Sequence, residues 1–137
     1  MLFGGFRYRS EIRAHERVSE VLGRRLVTLE LLTPHFYHLD TCFFPLDDKA
    51  ALYYPSAFDT YGRKVIERFI ERPIAVSRQD AYSFACNGLR VGRTVILNRA
   101  SRALKTQLER LGYKVLETPM SEFMKAGGSV KCLILVL

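Results

Sequence analysis

Residues 41–77 read TCFFPLDDKAALYYPSAFDTYGRKVIERFIERPIAVS. Residues 41–46 are an apolar, aromatic-rich run with strand character, Asp47-Asp48-Lys49 is a turn, and residues 50–54 are a returning strand. Phe58, Tyr61, Val65 and Phe69 then recur at helical spacing on one face, and Pro73-Ile74-Ala75-Val76 is a short strand after the helix. The order is strand, strand, helix, strand.

The stretch from Gly88 to Pro119 repeats that order. Residues 89–91 and 94–97 form a hairpin around Gly92. Ser101 caps a helix whose Leu104, Leu108 and Leu111 face the core. Gly112 ends it at the position that favours a left-handed backbone, and residues 114–117 are the closing strand. At the start of the chain, residues 2–6 read as a strand, Ser10 opens a helix carrying Ile12, Val18, Val21 and Leu22, and residues 26–31 follow as a strand. This is the same unit without its first strand. Residues 130–137 read as the opening strand of a further unit. Repeats of this length mark stacked or radially arranged modules. The expectation is one α/β domain over residues 1–137, built of strand-strand-helix-strand modules and starting and stopping within a module.

The totals are compatible with this. The 137 residues are 48% hydrophobic and 26% charged, which suits a single soluble globular domain. No apolar run reaches the ~20 residues of a membrane helix, and the first residues lack the basic-then-apolar pattern of a secretory signal. No membrane association is expected. Cys42, Cys86 and Cys132 are an odd count with no C-x-x-C, which argues against a disulfide framework and for a reducing, cytoplasmic setting. The net charge of +7 is spread thinly, with no dense basic run and no nucleic-acid-binding motif. It reads as a solvated surface that also favours an anionic substrate, and no nucleic-acid partner is expected.

Four clusters carry groups capable of chemistry: residues 35–42 (HFYHLDTC), 127–132 (GGSVKC), 5–10 (GFRYRS) and 84–88 (FACNG). Cys132 follows a Gly-Gly pair, whose missing side chains permit close backbone approach, and Lys131 beside it adds positive charge that favours a thiolate. A free cysteine is also commonly a small buried hydrophobe. On an extended segment His38 and Asp40, two residues apart, project to one side, so an imidazole and a carboxylate share a pocket. A structural hydrogen bond at a strand start explains the same pair equally well. His35, His38, Asp40 and Cys42 are potential metal ligands, but the paired second cluster of zinc sites is missing, and neither metal nor cofactor is expected. Asn87 reads first as a turn residue and second as a site residue.

Taken together, His-Leu-Asp-Thr at 38–41, Gly-Gly…Cys-Leu over 127–133 and Gly-x-x-x-Arg-Ser at 5–10 resemble the pentein superfamily of guanidine-modifying enzymes. That superfamily includes arginine deiminases, dimethylarginine hydrolases, arginine dihydrolases and glycine amidinotransferases. Residues 40–46 (DTCFFPL), 54–59 (YPSAFD) and 121–128 (SEFMKAGG) look most like the arginine dihydrolase branch. The resemblance covers essentially the whole chain and implies a partial α/β propeller, incomplete at its N-terminus. It also implies that Cys132 attacks a guanidinium carbon, that His38 is the acid/base, and that Asp40 clamps the guanidinium. Arg9 would bind the substrate carboxylate, although a solvated arginine at a helix start accounts for it equally. The substrate class implied is arginine or a related guanidino compound. Family members carry an earlier Phe-Glu-Gly-x-x-Asp segment, and this sequence begins after the place where it would stand. Three explanations follow: a fragment, a chain that completes its ring with a homo-oligomeric or other partner, or a non-catalytic remnant that binds guanidino ligands or serves in assembly.

Overall fold

The computed structural model describes residues 1–135. The elements are β1 (Leu2–Phe6), α1 (Ile12–Leu22), β2 (Leu26–Glu30), β3 (Phe43–Pro45), β4 (Ala50–Tyr53), α2 (Thr60–Phe69), β5 (Arg72–Ala75) and α3 (Arg78–Tyr82). They continue with β6 (Leu89–Val91), β7 (Thr94–Leu97), α4 (Arg102–Arg110), β8 (Lys114–Glu117) and α5 (Ser121–Met124).

The repeat is real. β3 pairs antiparallel with β4, and β4 pairs parallel with β5; β6, β7 and β8 are arranged identically. The antiparallel pair closes through a short turn, whereas the parallel pair needs a crossover, which α2 and α4 supply. β1 and β2 are parallel partners joined through α1. Ser101 and Gly112 act as expected, and Asp59 supplies a cap that was not expected. Asp59 Oδ1 accepts the Gly62 N–H at 2.7 Å to cap α2, Ser101 Oγ accepts the Leu104 N–H at 3.2 Å to cap α4, and Gly112 has φ +81°. One continuous core joins the modules, with Leu29, Phe36, Leu52, Phe58, Leu97 and Leu108 almost wholly buried.

Several expectations need correction. In α2 the buried residues are Gly62, Val65 and Ile66, while Tyr61 and Phe69 face solvent. The Asp59 cap starts the helix at Thr60, so Phe58 lies before it in extended backbone and the helical phase is set without it. In α1 only His15 is buried; Ile12, Val18, Val21 and Leu22 are exposed, because a two-stranded sheet is too narrow to cover that face. Ser10 makes no cap, since Glu11 occupies that position. The helix α3 was not expected. Its signal is a capping box: Ser77 Oγ accepts the Asp80 N–H at 3.1 Å and donates to the Asp80 carboxylate at 2.7 Å. Buried Asp80 also accepts the Ser101 N–H and hydroxyl at 2.6 and 2.9 Å, tying α3 to the start of α4.

The strand read over residues 41–46 shrinks to β3, because residues Leu39–Thr41 form a 3-10 turn. The strand read over residues 130–137 is absent among the described residues; Lys131–Leu133 is another 3-10 turn, and residues 136–137 lie outside the described part. A strand needs a neighbour for its backbone N–H and C=O groups. The N–H groups of Cys132, Leu133 and Ile134 instead bond back to Ser129, Val130 and Lys131.

The turn before β4 depends on Asp47. Its Oδ1 accepts the Lys49 and Ala50 N–H groups at 2.8 Å each, and its other oxygen accepts the Tyr113 hydroxyl from the start of β8. The Tyr113 hydrogen bond, foremost, holds the Asp47 carboxyl below its ordinary range. A depressed folded-state pKa contributes stability that is present above the unfolded value of about 3.9 and is lost as pH falls through the folded value. The melting temperature of wild type should therefore exceed that of Asp47→Asn at pH 7, and the gap should close progressively below about pH 4. A gap independent of pH would rule out the ionised form as the stabilising one.

Candidate active site

The loop between β2 and β3 carries His35, His38 and Asp40. It is anchored by fully buried Phe36 and Thr41, and the Thr41 hydroxyl and N–H both bond the His38 carbonyl, at 2.6 and 3.1 Å. His38 and Asp40 line one cavity of about 600 Å³, whose other walls come from β1, Ser10, His15, Leu39, Phe43 and Pro45. The shared pocket is present, but not by strand alternation: the 3-10 turn over Leu39–Thr41 brings the two side chains to it. Asp40 also lines a second cavity of about 250 Å³ with Arg90 and Lys131. Its Oδ1 is buried without a hydrogen-bond partner among the described residues, as is Ser129 Oγ. An unpaired carboxylate oxygen is a strong acceptor for a cationic donor.

Cys132 is exposed and lines neither cavity. Its loop is nevertheless tied to the His38–Asp40 segment at two places. The Tyr37 hydroxyl donates to the Gly127 carbonyl at 3.0 Å, while the Tyr37 ring lies 4.6 Å from the His38 ring. The Asn87 amide donates to the Asp40 carbonyl at 2.9 Å and accepts the Ser129 N–H at 2.8 Å. The glycine pair serves these contacts: Gly127 has φ +88°, and a Cβ there would lie 3.1 Å from the Tyr37 ring. A Cβ on Gly128 would lie 3.0 Å from Cys132 Sγ. Arg9 is exposed, and its guanidinium sits 5.4 Å from the centroid of the Tyr37 ring, on the rim rather than in the cavity.

Sequence reasoning missed Tyr37 and ranked Asn87 as a turn residue. The only available signal was their adjacency to His38 and Cys86. His35 stacks on Tyr82 at 4.5 Å, away from the cavity, and no three His, Cys, Asp or Glu side chains converge among the described residues. The remaining thiols are buried. Desolvation foremost raises the pKa of Cys42 and Cys86, with further repulsion from Cys86 and Asp40 at Cys42 and from Asp80 at Cys86.

A family model described as eukaryotic N,N dimethylarginine dimethylhydrolase matches residues 1–137. The chain belongs to this family of the pentein superfamily. It is 47% identical over 136 residues to the bifunctional arginine dihydrolase/ornithine cyclodeaminase AgrE of Nostoc sp., covering 98% of this chain and 19% of that protein. It is 38% identical over 131 residues to the dimethylarginine dimethylaminohydrolase of Mycobacterium tuberculosis, covering 96% of this chain and 43% of that enzyme. The crystal structure of the N-terminal domain of the arginine dihydrolase ArgZ bound to substrate superposes with a TM-score of 0.94 at 47% identity, over 97% of this chain and 50% of that one. An amidinotransferase of Microseira wollei shares the fold alone, at TM-score 0.75 and 18% identity. The chain thus spans half or less of the length of these relatives.

The three cysteines should separate under alkylation. Iodoacetamide at neutral pH should modify one thiol per native chain, at Cys132, and three per chain in denaturant, counted by mass spectrometry. Native modification of Cys42 or Cys86 would contradict their burial.

Proposed function

We propose that this chain carries the cysteine, histidine and aspartate of a site that hydrolyses arginine or a related guanidino compound. The observation that carries the reading is Asp40, which lines the His38 cavity and has one carboxylate oxygen without a hydrogen-bond partner among the described residues, with the Cys132 loop tied to that segment through Tyr37 and Asn87. The enzymes named among its relatives, arginine dihydrolase and dimethylarginine dimethylaminohydrolase, support the substrate class.

In this mechanism a guanidinium enters the cavity and its N–H groups bond the Asp40 carboxylate, which neutralises its charge and orients it. The Cys132 thiolate attacks the guanidinium carbon, forming an S–C bond. His38 gives a proton to the departing nitrogen, the C–N bond breaks, and an amine leaves a covalent thiouronium intermediate. His38, now neutral, takes a proton from water as the water attacks the same carbon. Collapse breaks the S–C bond, restores the thiolate and releases a protonated ureido product, whose hydroxyl proton passes to the amine released earlier or to solvent. Arg9, beside Tyr37, would hold the substrate carboxylate at the rim.

The finer architecture proposed is part of an α/β propeller, supported by the repeated modules and by the likeness to the ArgZ domain. The exposed apolar rows on α1 and at residues 133–135 support a covering partner, either further sequence or a second copy. Three free cysteines support a reducing, cytoplasmic setting. No helix of the described residues is long and apolar enough to cross a membrane.

Ammonia release from arginine tests the reading. Cys132→Ala should abolish it, and His38→Ala should lower kcat by roughly 100-fold or more, the usual contribution of a positioned acid/base. Asp40→Asn should act chiefly on KM. A folded wild-type chain that binds arginine by calorimetry but releases no ammonia would instead be a binding module.

A further inference from the structure

Asn87 bridges two distant segments through both ends of its amide. It is wholly buried, yet none of its side-chain bonds serves its own hairpin. Its Nδ2 donates to the Asp40 carbonyl, 47 residues away in sequence, and its Oδ1 accepts the Ser129 N–H, 42 residues away. Its own carbonyl accepts the Lys131 N–H at 3.1 Å. One residue therefore clamps the backbone on both sides of Val130, immediately before Cys132, and joins that segment to the carbonyl of Asp40. The orientation of the amide is determined by its partners, since a backbone carbonyl faces the nitrogen and a backbone N–H faces the oxygen.

No other side chain of this length offers a donor and an acceptor on one rigid plane. An aspartate would set a carboxylate oxygen against the Asp40 carbonyl, and a serine would reach neither group. Burial removes water as a substitute partner, so the tie is either made or lost.

We infer that Asn87 is a positioning residue that sets the distance and angle between the Cys132 nucleophile and the Asp40 carboxylate. This rests on the proposed guanidine chemistry. Asn87 touches backbone only, so its effect on the reaction passes through Cys132 and Asp40.

Two alkylating reagents separate positioning from framework. Chloroacetamidine carries an amidinium that requires the carboxylate while Cys132 displaces chloride; iodoacetamide is neutral and requires only an accessible thiolate. The rate constants for modification of Cys132 by each are measured on the full chain, for wild type, Asn87→Asp and Asn87→Ser, with thermal unfolding of each variant. Wild type should prefer chloroacetamidine. In a folded variant the ratio of the two rates should fall roughly ten- to a hundredfold, the order expected when a reacting group moves by about 1 Å. The iodoacetamide rate should stay within about threefold, because Cys132 remains exposed. An unchanged ratio in a folded variant, or loss of folding in both variants, would assign Asn87 to the framework alone and overturn the inference. A wild-type chain with no preference for the amidinium reagent would overturn the guanidine reading itself, and the inference with it.

Discussion

A buried backbone group must find a partner, and water cannot reach the junction where the His38–Asp40 segment meets the loop before Cys132. Asn87 meets that constraint with a single amide. The Asp40 carbonyl, the Ser129 N–H and the Lys131 N–H all close on this one residue. Neither segment is a regular strand or α-helix here; each is a 3-10 turn with extended backbone on one side only, at His38 and at Ile134. Secondary structure therefore does not hold them in register. Two long-range ties do, Asn87 beneath and Tyr37 at the rim, and the arrangement of the candidate site follows from them.

The same logic sorts the three thiols. Cys42 and Cys86 are packed among core side chains close to carboxylates, and both burial and negative charge disfavour their thiolates. Cys132 lies on an exposed turn against Gly128. One chain thus contains two inert sulfurs that serve packing and one that is accessible for chemistry. The carboxylates divide in a comparable way. Asp47, Asp59 and Asp80 use their oxygens in turns and caps, while one buried Asp40 oxygen has no hydrogen-bond partner among the described residues.

The modular build explains why the site lies where it does. Each crossover helix binds a parallel pair of strands into a unit, and the units join through shared core residues and through bonds such as Asp80–Ser101 and Asp47–Tyr113. The candidate site residues sit in the connections between units rather than inside them. Those connections carry few local constraints, which leaves their residue types free for chemistry.

Much of the fold was legible in the sequence, since hydrophobic spacing, Ser101 and Gly112 act over a few residues and their effects are local. The repeated strand-strand-helix-strand order and the candidate trio Cys132, His38 and Asp40 could be read from residue type and position. Three things could not. The face of α1 is exposed because its sheet has only two strands; Lys131–Leu133 form a 3-10 turn because no neighbouring strand is offered among the described residues; and His38 and Asp40 are brought to one cavity by a 3-10 turn. Asn87 is the clearest case. Its partners lie 42 and 47 residues away, and no local pattern encodes which distant backbone groups will be left unpaired once the chain packs. The sequence by itself determined the modules and the reactive side chains, because those depend on neighbours in the chain. Only the tertiary structure decided how the side chains are held together, because buried hydrogen bonds between distant segments exist only after the core has closed.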